Sequence, residues 1–232
     1  MLQFSLVEQI ALAVFLLSGI SFFLYHLLLR LKIVLKGKSD FSVNELPKRI
    51  IRVFDEVILH KKVASGKRKS AGILHALVMY GFIFFGLITI NHFGMAFGFP
   101  IFSDSFRHTY FLIFGAPWAI LCTIGILGLA YRRFVIKPEA LGKFSSTSAL
   151  VSVFIVTLMT TYLIDELHIL SGAAEKFNWW LHSGVIGGFL FLIPQSKHMH
   201  LVLSPFNIFL RPFEVPSHGA IPIDMEASEE EL

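Results

Sequence analysis

Ten histidines are spread over 232 residues, and four of them have a spacing that could serve a metal cofactor. His182 and His200 stand at the two ends of one apolar stretch. On a continuous helix their separation is five turns, about 27 Å of rise, which sets both imidazoles on one face. They would then lie near opposite rims of a bilayer core about 30 Å thick. His75 and His92 bracket a second apolar stretch. If the two stretches run antiparallel, His75 meets the depth of His200 and His92 that of His182. A pair of neutral imidazoles fills both axial positions of a haem iron and leaves no open site for oxygen or substrate, which is electron-transfer chemistry. Buried imidazoles in hydrocarbon need partners, and iron supplies one.

The phase along the second stretch is less tidy. His75 and His92 are 17 residues apart, which leaves them about 100° out of register on an ideal helix. A kink, a tilt or a different outer ligand must absorb this mismatch.

The elements that position these residues follow from composition. With 55% apolar residues, 25 Phe and only 16% charged residues, the chain suits a bilayer better than water. Five stretches are long and apolar enough to span: Ile10 to Leu29, Ile73 to Phe93, Phe111 to Ala130, Ala149 to Ile169 and Trp179 to Val202. Runs of this length exceed what a barrel strand needs, so the expected fold is all-α, an integral membrane five-helix bundle over residues 1–203. Residues 204–232 form the expected cytoplasmic tail. The flank before the first span carries no Lys or Arg, which favours an uncleaved helix over a secretory signal.

Orientation comes from the 20 Lys and Arg. Twelve lie between Arg30 and Lys69, four between Arg132 and Lys143, and two from Lys197 onward, leaving Arg107 and Lys176 on the other side. The positive-inside rule places the amino terminus outside and the carboxyl terminus in the cytoplasm of a bacterial inner membrane. The net charge of +4 is then topological and needs no nucleic acid to explain it. Cys122 is the only cysteine, so no disulfide and no cysteine-ligated iron–sulfur cluster is built from this chain alone.

The long connection 30–69 contains an amphipathic pattern from Pro47 to Val63. Ile50, Phe54, Val57 and Ile58 share a face opposite Lys48, Arg49 and Arg52, as in a helix lying on the inner surface with its basic side among anionic headgroups. A polar linker and a docking surface for a soluble partner are the alternatives. His26, His60, His108 and His218 suit interfacial positions. Gly81, Gly86, Gly184, Gly187 and Gly188 suit either a porphyrin edge or close helix packing. No phosphate-binding glycine loop, nucleophile elbow or zinc-protease helix is present.

The run LHSGVIGGFLFLIPQSKHMHLVLSPFNIFLR, Leu181 to Arg211, resembles the last helix of the respiratory nitrate reductase gamma-subunit family: a haem histidine, a proline twelve residues on and a second haem histidine six beyond. Here these are His182, Pro194 and His200. Closer still is the resemblance to the membrane cytochrome b domain of heterodisulfide-reductase-related iron–sulfur oxidoreductases, of the electron-transfer flavoprotein:menaquinone oxidoreductase type. SKHMH at Ser196 to His200, SPFN at Ser204 to Asn207, IPID at Ile221 to Asp224 and GILHALVMYGF at Gly72 to Phe82 carry it.

The resemblance implies two haem b groups, with His75 and His200 on the inner one and His182 on the outer. It also implies menaquinone as substrate and a cytoplasmic iron–sulfur partner or fused downstream domain, with electron-transfer flavoprotein as a possible donor. By the same analogy a quinone site lies near the outer haem, where Arg107, Asp165 and His168 could bind a carbonyl or relay protons. In one respect the chain departs from the nitrate reductase pattern. The position of the other outer ligand is Phe85, and His92 is the nearest replacement. The competing reading is a haem-free membrane anchor that tethers a soluble redox enzyme. A transporter is disfavoured by the lack of an intramembrane carboxylate or interrupted helix pair.

Overall fold

The computed structural model describes residues 2–34, 36, 45–59, 69–142 and 144–213, and every regular element among them is helical. Helix α1 covers Leu6–Val34 and α2 Leu46–Val53, extended by a π-turn over Phe54–Ile58; α3 covers Lys69–Ala96. Helix α4 (Asp104–Tyr110) runs through a π-turn, Phe111–Gly115, into α5 (Ala116–Tyr131), and α6 (Ser146–Glu166) and α7 (Gly172–Leu192) follow. A short 3-10 turn, Lys197–Met199, leads to α8, His200–Leu210. Serine caps punctuate the connections: the side chain of Ser103 accepts from the Phe106 N–H, and that of Ser145 from the Ser148 N–H.

Among the described residues four helices are long and apolar enough to cross a membrane: Leu6–Ile33, Lys69–Ala96, the continuous Asp104–Ile136 and Ser146–Glu166. Helix α7, the expected fifth span, is 21 residues long. Its amino-terminal half carries Glu175, Lys176, Asn178, His182 and Ser183, which lowers its hydropathy. It is nonetheless packed between α6 and α1, while α3 packs on α5 and α5 on α6. Side chains facing outward are apolar, with Val14, Val153 and Ile90 each more than half exposed. A surface of this kind needs lipid as its solvent.

Close approach of the helices depends on missing side chains. A Cβ on Gly125 of α5 would stand 2.8 Å from the Leu74 carbonyl oxygen of α3, so only glycine permits that spacing. Gly187 gives the same room to the Phe15 ring of α1. Of the five glycines with two possible roles, Gly81, Gly187 and Gly188 serve packing, against Cys122, Phe15 and Phe154.

Two expectations need correction. First, the stretch from Trp179 to Val202 is not one helix: α7 ends at Leu192, Ile193 to Ser196 turn, and His200 opens α8. Pro194 is the cause, because it lacks an N–H and its ring collides with the carbonyl four residues before it. The Ser196 side chain then accepts from the His198 N–H and starts a new turn. His182 and His200 therefore lie on different helices, and the boundary expected at 203/204 falls inside α8.

Second, the basic face of the amphipathic element is not wholly given to headgroups, because one of its arginines packs against protein. Arg49 is only 1% exposed and donates to the carbonyls of Phe209 (2.9 Å) and Arg211 (3.3 Å) and to the Glu45 carboxylate (3.0 Å). The last carbonyls of α8 lack intrahelical donors, so a guanidinium suits them. Ile50, Ile51 and Phe54 point outward, each more than half exposed. Arg49 thus faces α8 rather than headgroups. His60, His218, residues 60–63 of the amphipathic pattern and the IPID motif lie outside the described residues.

Candidate functional site

Helices α3 and α7 meet through side chains at several levels, including Phe82 with Phe189, centroids 6.1 Å apart. At one end of α3, His75 faces His200 with ring centroids 6.0 Å apart and planes inclined by 36°. Two imidazoles on opposite sides of one metal, each with a bond of about 2 Å and a ring centre about 1.1 Å behind its nitrogen, would hold their centroids about 6.3 Å apart. The inner pair fits that separation. The Nδ1 atom of His200 lies 2.8 Å from the Lys197 carbonyl oxygen. A carbonyl only accepts, so Nδ1 carries the proton and Nε2 keeps its lone pair for a ligand. A cavity of about 120 Å³ adjoins this pair, lined chiefly by apolar side chains such as Val78, Phe82, Ile126, Ile155 and Phe189.

At the other end of α3, His92 and His182 have centroids 5.0 Å apart and planes inclined by 54°. His182 Nδ1 lies 2.7 Å from Thr161 Oγ1, which in turn lies 2.7 Å from the Thr157 carbonyl oxygen. The Thr161 hydroxyl donates to that carbonyl and accepts from His182 Nδ1–H, so Nε2 of His182 is again the atom with a lone pair. Asn178 donates to the Thr161 carbonyl at 2.9 Å, tying α7 to α6 at the same residue. His92 is held differently. Its Nε2 is 2.9 Å from Ser183 Oγ, and its ring stacks on Trp179 at 4.7 Å. Ligation through His92 Nε2 requires that Ser183 be released and the rings separate by about 1.3 Å to reach the spacing of a bis-imidazole site.

The 100° mismatch along α3 is absorbed on the partner side, since the break at Pro194 lets α8 re-aim His200 independently of His182. Phe85 packs edge-on to Tyr162 at 5.0 Å, so this position is an aromatic core contact. Among the described residues no group of three or more His, Cys, Asp or Glu side chains could hold a metal ion. A metal at either histidine pair has to bring its remaining donors with it, as a porphyrin does.

Arg107, from one connection, and Asp165 and His168, from another, line one cavity of about 280 Å³ together with His92 and His182. Arg107 approaches Glu166 at 3.9 Å. His168 adopts a left-handed backbone, φ 51°, one residue beyond the cap of α6, with the Ile169 N–H returning to the Ile164 carbonyl. The sequence reading missed Thr161, Asn178, Ser183, Trp179 and Glu166. Thr161, Asn178 and Ser183 are at most 5% exposed. Their signal was polarity inside or beside an apolar run, where each polar group needs a named partner.

The chain is 30% identical, over an alignment of 224 positions, to the probable iron–sulfur-binding oxidoreductase FadF of Bacillus subtilis (strain 168). It is 24% identical over 260 positions to the EtfAB:quinone oxidoreductase of Syntrophomonas wolfei subsp. wolfei. The chain is related to oxidoreductases. The alignments cover 83% and 93% of this chain but 31% and 35% of those proteins, so it spans about a third of the length of these relatives. No family model matches, and no solved structure matches.

Proposed function

We propose that the chain is a dihaem b electron-transfer domain of a bacterial plasma membrane, passing electrons between a cytoplasmic iron–sulfur or flavoprotein partner and the menaquinone pool. The observation that carries this reading is the opposition of two histidine pairs at the two ends of α3, with His75 and His200 at a bis-imidazole spacing. When bound, haem supplies one-electron redox chemistry that no side chain here provides. The chain's own part is to hold Nε2 of His200 and His182 as lone-pair donors through the Lys197 carbonyl and the Thr161 hydroxyl, and to exclude water with the apolar wall of Phe82, Ile126 and Phe189. Redox relatives and a polar cavity beside the outer pair support quinone exchange at Arg107, Asp165 and His168.

The test is a reduced-minus-oxidised visible spectrum of the purified chain with quantified haem. Two low-spin b-type haems per chain are expected. A chain without haem is the membrane anchor instead, and one haem per chain leaves the inner pair as the sole site.

A further inference from the structure

The end of α2 is fixed to a spanning helix. The Tyr80 hydroxyl of α3 donates to the Ile58 carbonyl, at the close of the π-turn that extends α2. Helix α3 has 28 residues, about 42 Å, so it overhangs a core of about 30 Å by about 6 Å at each end. Tyr80 lies about 16 Å along it, and its side chain leans back toward the amino terminus by about 6 Å. The Ile58 carbonyl therefore sits about 4 Å inside the hydrocarbon boundary, on the side of His75 and His200.

At that depth the two faces of α2 take on definite roles. Arginines in or beside hydrocarbon turn inward onto carbonyls or acids. Arg49 does so on Phe209, Arg211 and Glu45, and Arg52 donates to the Arg211 carbonyl at 2.6 Å with its guanidinium over the Phe213 ring at 3.5 Å. Arg211 returns the contact by pairing with Glu56. The outward face is Ile50, Ile51, Phe54, Ile58 and Leu59, between 36% and 61% exposed. On the neighbouring α8, Phe206 and Leu210 are also exposed, at 48% and 40%. In water this would be a large unprotected apolar patch.

We propose that α2 is a membrane-embedded latch: its arginine face clamps the carboxyl end of α8, and its apolar face lies on lipid acyl chains of the leaflet nearest His75 and His200. The occupant is lipid rather than a soluble partner, because the face is continuous with a helix held at the hydrocarbon edge and carries no charge. This assignment rests on the spanning helices alone and stands whether or not the histidine pairs carry haem.

Spin labels test it in the full chain, reconstituted in bilayers, with Cys122→Ala as background. Labels on Ile51→Cys and Phe54→Cys are expected to collide with dissolved oxygen several-fold more than with a water-soluble nickel chelate, and a label on Lys48→Cys, which is exposed on the edge of the helix, with the reverse preference. If the 51 and 54 labels are as open to nickel as the 48 label, the face is wet and the proposal fails. Should a labelled chain not insert, Phe54→Trp reads the same geometry. Quenching of its added fluorescence by lipids brominated on the acyl chain supports the latch, and absence of quenching overturns it.

Discussion

His75 on α3 and His200 at the first position of α8 face each other at 6.0 Å between ring centroids, although they are contributed by helices that the chain separates by more than a hundred residues. If one iron joins them, His75→Ala and His200→Ala each remove the same low-spin b-type signal while the protein remains in the membrane. Difference spectra and haem quantification of the two variants check this. Loss of different signals, or no loss, rules out the shared site.

Thr161 fixes the proton on Nδ1 of His182. Thr161→Val removes the acceptor for Nδ1–H, and supporting hydrogen bonds of this kind change metal affinity about 10- to 100-fold. The outer haem should therefore be lost more readily on dilution, with a shifted midpoint potential, whereas Thr161→Ser restores both. His182→Ala should abolish that haem outright. If His182→Ala leaves the haem in place, the ligand assignment is wrong; if only Thr161→Val is silent, the positioning role is wrong.

His92 is the weaker member of its pair because Ser183 already holds its Nε2. Ser183→Ala frees that nitrogen and should strengthen retention of the outer haem, whereas His92→Ala should remove it. Haem titration into the apo-variants decides. If His92→Ala keeps two haems, its ring is a partner of Ser183 and Trp179 only.

The sequence made the two histidine pairings legible, because position along an apolar run reports which residues of antiparallel helices meet. It did not make the faces legible. Pro194 sits inside an apolar run that conceals the break, although its missing N–H ends α7 at Leu192 and gives His200 a helix of its own. The amphipathic pattern of α2 revealed two faces but not which one meets protein, since that depends on the carbonyls of Phe209 and Arg211, some 160 residues away. Asn178, Thr161 and Ser183 were lost among apolar neighbours, where their polarity was the signal.

Gly125 couples packing to the inner site through Leu74, the residue before His75. In Gly125→Ala the new methyl meets the Leu74 carbonyl and the Leu77 side chain. Backbone cannot swing aside as a side chain tip can, so α3 and α5 must separate. Overpacking of this kind costs about 1–3 kcal/mol. A lower thermal midpoint together with an altered inner-haem spectrum is expected, with the outer haem unchanged. A lower midpoint with both spectra unaltered would mean that the shift does not reach His75.

Asp165, His168 and Arg107 share the outer cavity with His92 and His182, where a quinone carbonyl would need hydrogen-bond donors and a proton source. Groups that deliver a proton in the rate-limiting step typically contribute about 100-fold or more. Asp165→Asn and His168→Ala should therefore slow electron exchange with a menaquinone analogue by about that factor, with both haem spectra intact. Arg107→Gln removes the cation 3.9 Å from Glu166 and should weaken quinone binding more than turnover, because a fixed charge orients the ring rather than moving protons. Stopped-flow reoxidation of the reduced haems by the analogue, over a range of concentrations, separates the two effects. If all three variants exchange electrons at the parental rate while substitutions around His75 and His198 slow it, the quinone is handled at the opposite end of α3.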